Sequence, residues 1–274
     1  MDLTHPAGPP VEGGRLRSAG RLAAPLAGRL EVLLRRRGWV YAAIVVATLD
    51  VVVWVLGAHV FNPDFGTDYR IHVAAAVRWL ETGSPYYPAQ LTGAYELGLM
   101  RPDPILYPPT MLPLFAAFIV LPAVLWWAVP IAITAAAIAR RRPAPARTVV
   151  ILLLLAWPQS IVALSVGNPV MWIVAALAIG TFVPAFSPLV LLKPSLLPLA
   201  LWGADRRSWW IGLAVLVLTS IPFAALWGEW LSAVANARQP QGFFYSAYQV
   251  PLLLIPLVPA VRWPRRLRAA PRQA

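Results

Sequence analysis

Long apolar runs bounded by short blocks of arginine leave a chain like this few ways to fold. The first run, Trp39 to Val60, follows Arg35, Arg36 and Arg37. A second, Pro108 to Ala139, is followed by Arg140, Arg141, Arg142 and Arg147, and the last, Val250 to Val261, ends at Arg262, Arg265, Arg266 and Arg268. About 20 apolar residues suffice to cross the hydrocarbon of a bilayer as a helix, and arginine concentrates on the cytoplasmic side of such helices. Hydrophobic residues are 59% and charged residues 12% of the chain, whereas a soluble domain carries about 25% charged. The net charge of +12 therefore reads as a topology signal and not as a nucleic-acid surface, because the arginines flank apolar runs instead of lining one soluble face. With no cysteine and three widely spaced histidines, neither a disulfide framework nor a metal cage is expected, and no cofactor is implied.

Charge at the loop ends predicts an all-α, polytopic transmembrane bundle in the cell membrane. It has about six full crossings, one re-entrant helix pair and both termini in the cytoplasm. Residues 1–38 read as a disordered basic cytoplasmic arm, 39–261 as the transmembrane domain and 262–274 as a basic cytoplasmic tail. Asp50 interrupts the first span and is expected to face protein or a wet cavity. Pro108 to Ala139 is expected to make one crossing entered through a half-helix ending near Pro122. Thr148 to Leu164 goes out, Gly167-Asn168-Pro169 turns, and Val170 to Val183 returns. Pro184 to Trp202 carries Lys193-Pro194 at its centre, and a helix pair that dips in and leaves on the same side keeps Arg206 and Arg207 inside. Trp209 to Trp227 then goes out, and Gly228 to Gln249 is a second outer loop.

Residues 61–107 are too polar to cross and are expected to lie outside. Within them Tyr69 to Leu80 has apolar residues at helical spacing, which suits an interfacial helix ended by Gly83, Pro85 and Pro88. The polar residues of this loop are the ones able to do chemistry at the depth of a lipid head group. Asp68 stands at the helix start, as a reactive carboxylate or as a cap beside Thr67. Asp64 is a rival carboxylate, a second polar wall or a solvating loop residue, and His72 lies one helical turn beyond Asp68. Arg70 and Arg78 have the guanidinium geometry that suits phosphate, with snorkelling to head groups the simpler account of Arg78. In the second half, Lys193 is flanked by Leu191, Leu192, Pro194 and Leu196. A lysine there is costly in hydrocarbon and marks either a site or an ion pair with Asp50 or Glu229. Tyr107-Pro108-Pro109 either lines a pocket or turns the chain into the membrane.

Taken in order, Asp68-Tyr69-Arg70-Ile71-His72, Gly83-Ser84-Pro85-Tyr86-Tyr87, Asp103-Pro104-Ile105-Leu106-Tyr107-Pro108-Pro109, Gly167-Asn168 and Leu192-Lys193-Pro194 resemble the motifs of glycosyltransferase family 87. These are polyprenyl-phosphate-mannose-dependent mannosyltransferases of GT-C fold. The resemblance runs from Asp68 to Trp209, as in a shortened member whose Gly-Gln-x-Asn turn is reduced to Gly167-Asn168-Pro169. It implies transfer of a sugar, mannose by the family's pattern, from a polyprenyl-phosphate donor to an extracytoplasmic glycolipid or glycan acceptor. Asp68 matches the general base; His72, Arg70, Tyr107, Lys193, Asp64 and Asn168 fall among substrate-binding positions. Two other classes fit the same residues: a lipid or solute transporter or flippase using Asp50 and Lys193 as a pathway, and an inactive membrane partner subunit. Paired inverted repeats, which a transporter would carry, are not apparent.

Overall fold

The computed structural model describes residues 65–97, 99–100, 102–238 and 249–261. The expected first span with Asp50, Asp64, the terminal basic segments and most of the second loop's distal part lie outside the described residues. What is described is mostly helical. The helices are α1 (Thr67–Thr82), α2 (Pro88–Thr92), α3 (Leu112–Ala117), α4 (Val124–Arg141), α5 (Pro145–Leu155), α6 (Pro158–Ser165), α7 (Val170–Gly180), α8 (Leu197–Ala200), α9 (Arg207–Ser220), α10 (Ala224–Asn236) and α11 (Val250–Leu254). Two short strands, β1 (Tyr95–Glu96) and β2 (Ala237–Arg238), pair in parallel.

The interfacial helix expected over Tyr69 to Leu80 is α1, one turn longer in all, and it buries His72, Ala75 and Ala76. It ends where the Gly83 N–H bonds the Trp79 carbonyl. The run after Tyr107 breaks as its prolines require: α3 stops at Ala117 and α4 begins past Pro122. The stretch expected as one outward helix is two, α5 and α6, bent by 60° at a break before Pro158. A proline there has no N–H to continue the ladder but fits the first turn of a new helix.

α7 is apolar all round and sits in the middle of the bundle, burying Val170, Met171, Ile173, Val174, Leu177 and their alanine neighbours. Its 11 residues rise only about 16 Å, so this segment falls short of the hydrocarbon thickness by itself.

Two expectations are corrected. The helix pair around Lys193 is instead a nine-residue 3-10 segment, Pro184–Leu192, an extended Lys193, a 3-10 turn Pro194–Leu196 and the single turn α8. Prolines at 184, 188, 194 and 198 remove donors too often for an α-ladder to form. The second outer loop does not begin at Gly228, because α10 runs through it to Asn236. One glycine costs a helix only about 1 kcal/mol, and no stronger breaker follows before Pro240.

The 3-10 segment lies between α7 and α9 at backbone contact. A Cβ on Gly212 would come 1.9 Å from the Ala185 carbonyl oxygen, and one on Gly180 would come 2.4 Å from Ser187 Oγ. Small residues at such contacts are how helices approach closely where no hydrophobic driving force separates them from lipid. Among the described residues two helices are long and apolar enough to cross a membrane, Val124–Arg141 and the continuous Arg207–Asn236, and the bent pair α5–α6 makes a third if it counts as one span.

Candidate active site

The start of α1 is fixed from outside the helix. Gly66 N–H bonds the Ser165 carbonyl at 2.9 Å and Tyr69 N–H bonds that of Val166 at 3.3 Å. α4 holds the same turn: the indole N–H groups of Trp126 and Trp127 donate to the carbonyls of Gly167 and Leu164 at 2.8 and 2.7 Å. Gly167 adopts φ +72°, and a Cβ there would lie 2.7 Å from the Trp127 ring, so both the left-handed backbone and the space demand glycine. Asn168 is thereby pressed against α1.

Four of the predicted residues meet there. Asn168 Nδ2 donates to Asp68 Oδ2 at 2.6 Å. Its Oδ1 accepts from the Tyr107 hydroxyl at 3.3 Å, the Val170 N–H at 3.0 Å and Gln249 Nε2 at 3.4 Å. Lys193 Nζ donates to Gln249 Oε1 at 2.5 Å and lies 5.6 Å from the Tyr107 ring centre. Lys193, Asn168, Tyr107 and Gln249 are 4%, 7%, 7% and 1% exposed, so this is an interior polar chain and not a surface patch.

Asp68 is not a helix cap. No side chain caps α1 at Gly66, and the Thr67 hydroxyl accepts from Arg70. Burial pushes the Asp68 carboxyl above the usual carboxylate range; the Asn168 hydrogen bond and the Lys193 charge pull it back in part, and Asp103 adds to the rise. The helix-start position favours the ionised form, but desolvation is the larger effect.

His72 completes the wall. Its Nδ1 lies 2.5 Å from the Asp68 carbonyl oxygen, which can only accept, so Nδ1 carries the proton and Nε2 keeps its lone pair. The ring packs edge-on against Tyr107 and Phe115 at 5.0 and 4.7 Å. Burial lowers its pKa from 6.5 to about 4, so at neutral pH it offers a phosphate no charge but can accept a hydrogen bond.

The arginines stand apart. Arg70 is exposed and donates to the Phe65 carbonyl at 2.6 Å and to Thr67 Oγ1 at 3.1 Å. Arg78 donates to the Pro85 carbonyl and stacks 3.6 Å over the Tyr87 ring, which folds the loop and leaves nothing aimed at Asp68. Glu229 accepts the Ser84 hydroxyl at 2.5 Å. Gln249 escaped the sequence reading: an amide directly before the apolar run Val250 to Val261 was the signal, and its weight appears only when α11 is packed against α7. A cleft of about 480 Å³ lined by Thr181, Phe182, Trp202, Asp205, Arg206 and Ser208 lies elsewhere and contains none of these residues.

Compared with protein-family models, with curated proteins and with solved structures, the chain matches none.

Proposed function

We propose that this chain is a multi-pass membrane glycosyltransferase of GT-C type. It transfers a sugar, mannose by the motif resemblance, from a polyprenyl-phosphate donor to a glycolipid or glycan acceptor on the extracytoplasmic side. The observation that carries the reading is the convergence of Asp68 and Lys193, residues from distant segments, on one buried polar chain with Tyr107 and Asn168.

The acceptor hydroxyl oxygen attacks the anomeric carbon as the bond from that carbon to the phosphate oxygen breaks, with inversion. The hydroxyl proton passes to Asp68, and the electron pair leaves on the polyprenyl phosphate, whose charge the Lys193 ammonium balances. A carboxylate held above its ordinary range is the better proton acceptor near neutral pH. Six crossings and a cytoplasmic basic end belong to the same proposal. Arg140, Arg141 and Arg206 gather near Phe182, at the end of α4 roughly 22 Å along its axis from Trp126. The positive-inside tendency then puts Asp68 on the opposite side.

Membranes containing the chain, given radiolabelled polyprenyl-phosphate mannose and a lipid extract, are expected to yield a labelled product, and Asp68→Asn is expected to lower its rate about 10²–10⁴-fold. Undiminished product from Asp68→Asn removes Asp68 as base. No product from the unaltered chain, beside an active control transferase, removes the function and leaves a partner subunit.

A further inference from the structure

Asp68 and Lys193 are opposite charges in one desolvated space, yet they do not meet. Among the described residues no ion pair joins them. The connection runs through two amides: Lys193 to Gln249 at 2.5 Å, Gln249 to Asn168 at 3.4 Å and Asn168 to Asp68 at 2.6 Å. Attraction between unit charges grows as the local dielectric falls, and lysine carries its ammonium on a flexible four-carbon stem. Something must therefore keep the two apart. Gln249 is placed to do so: it is fully buried, it sits at the start of α11, and its acceptor end holds Lys193 while its donor end is spent on Asn168.

We propose that Gln249 is a positioning residue that stops Lys193 closing on Asp68 as a direct ion pair. This rests on the reading of Asp68 as proton acceptor and Lys193 as phosphate partner, since a closed pair would turn the two charges on each other instead of on the substrates. The amides do not form a proton wire, because neither has a proton to give up near neutral pH. They act as a spacer of fixed length with the polarity each charge requires. Glutamate at 249 would hold the ammonium but add a second carboxylate, and alanine would remove the Gln249 hold on it.

The groups facing Asp68 are His72 on its own helix, Asp103 and Tyr107 from the segment before α3, Asn168 from the turn before α7, and Lys193 from the 3-10 region. Of the charged ones, Lys193 is the one that Gln249 holds.

The test is an infrared pH titration of the purified full-length protein in lipid nanodiscs, with the Asp68 carboxyl band assigned by its loss in Asp68→Asn. Gln249→Ala is expected to lower the Asp68 midpoint by about one pH unit, because an opposite charge at contact favours the ionised form. Lys193→Met combined with Gln249→Ala is expected to show no such fall relative to Lys193→Met alone. Gln249→Glu is expected to move the midpoint the other way and serves if the alanine form does not fold. An Asp68 midpoint that stays put in Gln249→Ala or Gln249→Glu, with native helical content by circular dichroism, overturns the proposal. The readout does not need turnover: shifted midpoints in a chain that transfers no sugar leave the spacer standing and remove the transferase, whereas transfer with unshifted midpoints does the reverse.

Discussion

Helix α1 and the continuous helix Arg207–Asn236 are built to different rules. In α1 almost every polar group has a named protein partner: Asp68 takes Asn168, His72 takes a carbonyl, Arg70 closes the first turn and Arg78 holds Pro85. Its buried face is small and aromatic-lined, set against Phe115, Trp126 and Trp127. The long helix turns Trp210, Ile211, Val215, Val217, Leu218 and Ile221 outward, all more than half exposed. A water-soluble fold would not leave such a face bare, and in lipid it is the ordinary state of a spanning helix. One region gets its shape from directed hydrogen bonds, whereas the other presents an apolar face that suits hydrocarbon.

The sharpest way to break this contrast is Leu218→Arg. On a lipid-facing centre it is expected to cost about 2.5–3.5 kcal/mol of insertion, read as loss of inserted protein in glycosylation mapping; full insertion would mean that the outward apolar face does not meet lipid. Gly167→Ala probes the other region. With φ +72° and the Trp127 ring 2.7 Å from the new Cβ, it is expected to lower stability by about 1–3 kcal/mol, seen as a lower thermal midpoint in detergent. Next comes pH. His72 is held neutral down to about pH 4 while the unfolded imidazole titrates near 6.5, so between those values the unfolded chain binds a proton that the fold does not. Stability is therefore expected to fall as pH drops from 6.5 to about 4, with a smaller fall in His72→Gln. The raised Asp68 carboxyl works in the opposite sense, and it is common to both proteins. The smallest effect is expected from Leu218→Ala, within about 0.5 kcal/mol, which separates the cost of charge on this face from the cost of lost packing.

Much of the described architecture could be read from punctuation. Glycine and proline marked the end of α1, the gap between α3 and α4 and the turn at Gly167-Asn168, because each removes a donor or demands a backbone that other residues avoid. Residues between such marks were harder. A uniformly apolar stretch such as Pro184–Leu192 has no periodicity to separate α from 3-10 geometry, and Gly228 looked like a boundary although helical neighbours on both sides outweighed it. At the site, Asp68, Tyr107, Asn168 and Lys193 were legible because their types are expensive or unusual where they stand. Gln249 was not, since a single amide acquires its role only from what the fold sets on either side of it.

The pairing of Tyr95–Glu96 with Ala237–Arg238, reinforced by the Tyr95 hydroxyl on the Ala233 carbonyl and by Asn236 on Gln90, fastens the segment before Tyr107 to the far end of the long helix. That helix of 30 residues is about 45 Å long against roughly 30 Å of hydrocarbon, and a helix longer than its bilayer accommodates by tilting. If this helix crosses a bilayer, acyl-chain length becomes a mechanical input: a thinner leaflet would lean the helix further, and the strap would carry that tilt to the segment before Tyr107.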